Sequence, residues 1–379
     1  MAINRFTNAA GGNTWGTAGN WSQGTVPTAN DGHVTTFDAT SPNCTVNASN
    51  RVCNNIDFTG YTNTITMTFI ITVSGNITFS SGMIVAGSAV MQVNATSTMS
   101  GTGWTNGFTV SATCTITLSS NVTITGTFTV NLNVTATVNW TTSEILRIGG
   151  LTQSGLNAVL GGTAEVRLTG GTWVCSTSGG VIGSRTFGFD GAVTINGTCN
   201  LPNGFTGTLK WYSGTLLVSG STVQISDSCT IDFAGGILGG VTFSGSSKTF
   251  TINSLLTCAT ITFGGTTSNI IAGTAGFTCD TLNCTQVTTH TVTLKEAITY
   301  TITTAFNCYT SRVGASVLFT SAHASTKAIL TLVNPSSCNV LANFTRIDAS
   351  GGRTINTFNG TLTDCTNVRS FHDRQTANI

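Results

Sequence analysis

Apolar and polar residues alternate along almost the whole chain with a period of two. The clearest stretch is 108–140. Its even positions, apart from Ser120 and Gly126, are apolar or Cys, from Phe108 and Val110 through Cys114, Ile116, Phe128 and Leu132 to Trp140. Its odd positions are Thr, Ser or Asn. One face of each strand then meets a core and the other meets water or a neighbour. The run is too long for one strand of about 5–6 residues, so it bends, with Ser119-Ser120-Asn121 and Gly126 as the corners. Bends that keep inside and outside in phase belong to a coiled β-structure. The same alternation marks Ile65–Val73, Val241–Phe243, Ile261–Phe263 and Ile298–Ile302. No stretch sustains a helical 3.6 period.

A weak repeat supports coiling. Cys followed closely by Ile or Leu, then often Phe, recurs at Cys53–Phe58, Cys229–Phe233, Cys258–Phe263 and Cys279–Leu282. Spacing of this kind marks solenoids. The reading is an all-β, parallel β-helix-like solenoid: a rod with capped ends, of roughly 13–18 rungs and about 60–90 Å at the usual strand spacing. Three segments are expected: a Trp-rich cap over 1–50, a solenoid body over 51–345, and a cap or docking segment over 346–379. The first holds Trp15 and Trp21. From Arg346 onward the chain carries four of its 14 basic residues, Arg346, Arg353, Arg369 and Arg374, with Asp348, Asp364, Asp373 and His372. Trp15, Trp21, Arg346, Asp348, Arg353, Arg369 and Arg374 are therefore the candidate cap and assembly residues.

Composition narrows the function. Only 7% of residues are charged and the formal net charge is +1, so nucleic acid is a poor partner. No apolar run reaches the length of a membrane span or a signal peptide. The 12 Cys are spread singly without a CxxC, which argues against zinc and for free, buried thiols, with Cys229, Cys258 and Cys308 expected in one core column. His33, His290, His323 and His372 lie far apart, and no metal or cofactor is expected.

Catalysis on a glycan needs converging carboxylates. Only Glu144, Glu165 and Glu296 exist as Glu, and the nearest Asp pair, Asp227 and Asp232, reads as solvated charge. Glu165 with Arg167 and Lys295 with Glu296 read as outward ion pairs. Gly161-Gly162, Gly235-Gly236 and Gly264-Gly265 lack the residues of a phosphate loop and read as turns. Thr-x-Thr pairs wander in phase, unlike a regular ice-binding array. Trp173, Trp211 and Tyr212 are the candidates for stacking on a sugar.

Three segments carry a resemblance. They are Trp15–Ala39 with its Trp-Ser and Val-Pro turns, Cys53–Tyr61, and Ile347–Gly360 with its Asp-Ala-Ser-Gly-Gly-Arg sequence. With the Thr-rich strands between them, they resemble β-solenoid virion proteins of tailed bacteriophages, such as fibres, spikes and decorations. The resemblance implies a non-enzymatic structural component of the virion, made in the host cytoplasm. It would associate with copies of itself, as a homotrimer by analogy, and with other virion proteins. A tailspike that binds or cleaves host polysaccharide, with a surface glycan as partner, is the alternative. A bacterial surface adhesin is a third, although it normally carries a secretion signal.

Overall fold

The computed structural model describes residues 1–379 except 132, 155–156, 176–178, 203, 219, 287, 311–314, 334–336, 359–360 and 372–379. Among the described residues, 43 short strands and one 3-10 turn at Ala18–Asn20 make up the regular structure. Every ladder between the described strands is parallel, and strands pair with those one turn later: Phe108–Val110 on Phe128–Val130, and Phe128–Val130 on Leu151–Gln153. The protein is a β-solenoid of about fifteen stacked turns. Two compact units are distinguished, Met1–Asn196 with Ser213–Leu217, and Gly197–Tyr212 with Val218–Ile379.

In the first unit each turn has three sides. One turn runs Val122–Ile124, Phe128–Val130 and Thr135–Trp140, and the next runs Ile145–Ile148, Leu151–Gln153 and Val159–Gly161. Side chains that alternate along a strand line up across turns. Ile71, Met91, Phe108, Phe128, Leu151, Trp173 and Ile195 form one inward column. All seven are buried, and the Phe108 and Phe128 rings stack at 5.5 Å. The corners expected at 119–121 and Gly126 are present: strand Cys114–Leu118 ends there, and the register shifts between Ile124 and Thr127. Trp140 departs from the alternation, being 40% exposed at the end of its strand.

Corner side chains tie consecutive turns together. Asn55 Oδ1 accepts the N–H of Asn76, and Asn76 Oδ1 accepts the N–H of Thr98, at 2.8 and 2.9 Å. Asn121 Oδ1 does the same for Ile145 at 2.9 Å. Glycine enters where the backbone of the turn below is too close for any side chain. A Cβ at Gly149 would lie 1.7 Å from the Thr125 carbonyl oxygen.

Strand Ala2–Arg5 pairs on one side with His33–Thr36, and its other edge is covered by residues 21–25. Ser22 N–H donates to Arg5 O at 2.8 Å, Gln23 Nε2 to Ile3 O at 3.0 Å, and Asn4 Nδ2 to Thr25 O at 2.8 Å. Phe6, Trp15, Trp21, Phe37, Phe58 and Tyr61 pack beneath as one buried aromatic cluster. An edge closed in this way offers no template to another strand.

In the second unit the turns are again three-sided. Two of the sides come from single bent strands such as Ile237–Phe243, Leu256–Phe263 and Phe277–Gln286. Here the structure corrects the cysteine reading. Cys258 and Cys279 share a column that continues to Ile302, Cys284 and Cys308 share a second, and Cys229 stacks on Phe250 in a third. All five are buried. The physical reason lies in the corners: Cys258–Ile261 and Cys279–Leu282 straddle a bend, whereas Cys229–Ile231 lies in one straight strand. The side chain of Cys338 lies outside the described residues.

Removing the Trp21 ring empties the aromatic cluster and frees the segment that covers Ala2–Arg5. We expect Trp21→Ala to cost ~3–5 kcal/mol in urea unfolding. We also expect it to raise self-association in light scattering, and an unchanged stability with no new oligomer contradicts this account of the edge.

Candidate functional site

Charged residues are scarce, and parallel register collects four of them on one outer face of the first unit. Strand Glu165–Leu168 stacks on Ile145–Gln153, which sets Arg167 directly on Arg147. Glu165 lies two residues before Arg167 on the same side of the strand, and its Oε1 pairs with Arg167 Nε. From the next turn, Asp190 Oδ2 approaches Arg167 Nη1 at 3.5 Å, while Asp190 Oδ1 accepts from Ser213 Oγ at 2.9 Å. Arg147 is half-exposed, with no ion-pair partner among the described residues. Both carboxylates are thus committed to the guanidinium between them. The sequence shows the Glu165–Arg167 pair but not Arg147 or Asp190, because only register brings those two into reach.

In the second unit the two carboxylates weighed as a catalytic pair separate. Burial opposes ionisation of Asp227, but Lys248 Nζ at 2.7 Å and the N–H groups of Gly204 and Ser228 at 2.9 and 2.8 Å outweigh it and hold its carboxyl below the usual range. Asp232 pairs instead with Lys210 Nζ at 3.5 Å. A carboxylate held ionised by a lysine and two amides is a poor proton donor at neutral pH. Lys210 Nζ also lies 4.8 Å from the Tyr212 ring centroid. Trp211 and Tyr212 are half-exposed, and the Trp211 ring lies against Gly235 and Gly236, where a Cβ would come within 3.1 and 2.8 Å of it. In the same unit Gly239 and Gly240 help to line a groove of about 440 Å³. Ser221, Thr222, Thr260, Val218 and Ile237 also line it.

The remaining candidates fall in different places. Trp173 is fully buried between Phe187 and Phe189, so the expectation that it stacks on a sugar is corrected: no glycan reaches its ring. Trp15 and Trp21 lie inside the aromatic cluster, and as buried rings they make no direct contact with a partner. Arg346 folds back onto its own unit, with Nη2 3.5 Å from Thr320 Oγ1 and 3.4 Å from Ser321 O. Asp348 Oδ1 accepts the N–H of Ser350 at 2.9 Å, and hydrogen bonds from Ser350 keep its carboxyl below the usual range. Arg353 and Arg369 are exposed. Arg374, with His372 and Asp373, lies outside the described residues.

Among the described residues no group of three or more His, Cys, Asp or Glu could hold a metal ion, and no helix is long and apolar enough to cross a membrane. Burial pushes the thiols of Cys53, Cys229 and Cys258 up to about 12, which makes them weak nucleophiles. Comparison with family models, with curated proteins and with solved structures returns no match.

His290 is fully buried, with its Nε2 2.9 Å from Asn269 Oδ1, and Asn269 Nδ2 donates to Gly245 O at 2.8 Å. Burial lowers the imidazole to about 4, from 6.5 in the unfolded chain. Between those values the unfolded chain binds the proton and the folded one does not, so stability falls as pH falls. The loss amounts to on the order of 3 kcal/mol across the window. Chemical unfolding between pH 7 and 4 is expected to show a shallower pH slope in His290→Gln than in the wild type. Parallel profiles would place the acid sensitivity elsewhere.

Proposed function

We propose that the chain is a non-enzymatic structural component of a bacteriophage particle, acting as a stiff stacked element through protein–protein contacts. The observation that carries this reading is an uncharged, regular outer face on a closed apolar core. In the first unit Thr72, Gln92, Thr109, Thr129 and Thr152 lie in register on the outside. Ser74, Asn94, Ser111, Asn131 and Ser154 follow two residues on, and each donates its N–H to a carbonyl of the turn below. Hydroxyls and amides in such columns do not repel a second copy, and they offer donors and acceptors along the whole face. The likeness of Trp15–Ala39 and Ile347–Gly360 to phage solenoid proteins supports the same reading. The ion pairs at Glu165, Asp190, Asp227 and Asp232 leave those carboxylates poorly suited to acid–base work on a glycan.

Self-association in a closed assembly follows from this reading, and a homotrimer is its expected form by analogy with threefold phage fibres and decorations. Mass spectrometry of purified particles is expected to find the chain at a fixed copy number, and light scattering of the isolated protein to give a mass above the 39.0 kDa of one chain. Absence from the particle would refute the assignment, and a monomer at micromolar concentration would refute self-association.

The half-exposed Trp211 and Tyr212, flanked by Lys210 and Asp232, favour a second reading in which the protein contacts a host surface glycan. Host polysaccharide is then expected to bind the wild type, and Trp211→Ala to weaken binding at least tenfold, without the polymer being shortened. Binding untouched by Trp211→Ala discards this platform. Depolymerisation lost in Asp227→Asn or Asp232→Asn replaces both readings with an enzymatic one.

A further inference from the structure

Arg185 follows Gly183-Ser184 at a corner of the first unit and points inward, with 1% of its surface exposed. Its position in the turn is that of Ala164 one turn below, since Val166 pairs with Phe187. The side chain reaches back past that small residue to the carbonyl of Val138, 47 residues earlier in the chain, at a long 3.4 Å. That carbonyl already accepts the N–H groups of Thr163 and Ala164 at 3.1 and 3.0 Å, so both of its lone pairs are in use. The Nε and Nη1 donors of Arg185 are buried and have no hydrogen-bond partner among the described residues. No carboxylate pairs with it among the described residues.

A buried guanidinium in this state breaks the rule that interior charges are paired. Desolvation lowers its pKa to about 9, which still leaves it cationic at neutral pH. Removing the proton therefore does not resolve the imbalance. A neutral water supplies an acceptor but no countercharge. A bulky organic acid cannot follow a side chain enclosed to this degree. We propose that the core around Arg185 binds a small monovalent inorganic anion of the halide class, held against the unpartnered guanidinium donors. The site lies near the last strand of the nine-stranded sheet, Gly180–Val181, and fixes the turns that Arg185 spans by adding the charge they lack. It is independent of the structural role proposed above.

Thermal unfolding of the full-length protein in sodium chloride and in sodium gluconate at matched ionic strength tests this, because gluconate is too large for the core. Ligand that binds only the folded state raises its melting point. We expect a midpoint a few degrees higher in chloride, saturating with concentration, and loss of that difference in Arg185→Met. Equal wild-type midpoints in the two salts overturn the site, as does a chloride response that persists in Arg185→Met. Should Arg185→Met not fold, bromide-soaked crystals of the wild type decide the matter. An anomalous peak within hydrogen-bond reach of the guanidinium supports the anion, and ordered water alone there refutes it.

Discussion

Parallel pairing of each strand with the strand one turn later is the interaction on which every other feature of this protein depends. It sets each residue over one particular residue of the turn below, so a whole column must agree in size and polarity. The buried column from Ile71 through Phe128 to Trp173 and Ile195 shows the agreement on the inside. The Asn55, Asn76 and Asn121 side chains show it at the corners, where the ladder bends and an amide N–H would otherwise be left unpaired. Gly162 shows its limit: it has φ +110, and a Cβ there would lie 2.2 Å from the Val138 carbonyl. The stack leaves no slack along its axis at such positions.

This dependence explains what could be read from the sequence. Alternation is a local property, so the β-solenoid class, the inward Phe108, Val110, Ile116, Ile124, Phe128, Val130 and Val138, and the bends at 119–121 and Gly126 are all legible in a single strand run. Column membership is not local, because turn length varies. Asn307 reaches Asn283, 24 residues back, whereas Ser226 meets Ser244, 18 residues on. Recurrence of cysteine along the chain therefore does not imply equal places on the turn, which is why Cys229, Cys258 and Cys308 fall in different columns. The meeting of Arg147, Arg167 and Asp190 was hidden for the same reason. Trp173 and Trp211 both follow a polar or charged residue in a strand, and only their columns distinguish a core ring from a half-exposed one.

Polar side chains inside the stack test how strictly the columns are kept. Gln153 ends a column of Cys53, Val73, Val93, Val110 and Val130, where an aliphatic residue would fit. Its amide is satisfied by the carbonyls of Ala158 and Gly180 at 3.0 and 2.7 Å. Asn269 answers Gly245 and His290 in the same manner. In both cases carbonyls at a corner accept the inward amide, Ala158 O in addition to the Gly180 N–H, so a neutral side chain is satisfied by the backbone around it. Such groups cost little once paired, and they fix the register more tightly than an aliphatic side chain does.

Charge obeys a harsher rule than polarity, and the difference separates Arg167 from Arg185. Arg167 stands on the outside between Glu165 and Asp190, where water shares the cost of its charge and two carboxylates balance it. Arg185 stands on the inside, against a carbonyl whose lone pairs already serve Thr163 and Ala164. The backbone geometry that satisfies Gln153 cannot satisfy a cation, because a corner offers partial charges and never a whole one. A parallel stack can absorb an inward amide wherever a corner carbonyl lies within its reach, but an inward guanidinium requires a countercharge that the repeating backbone does not contain.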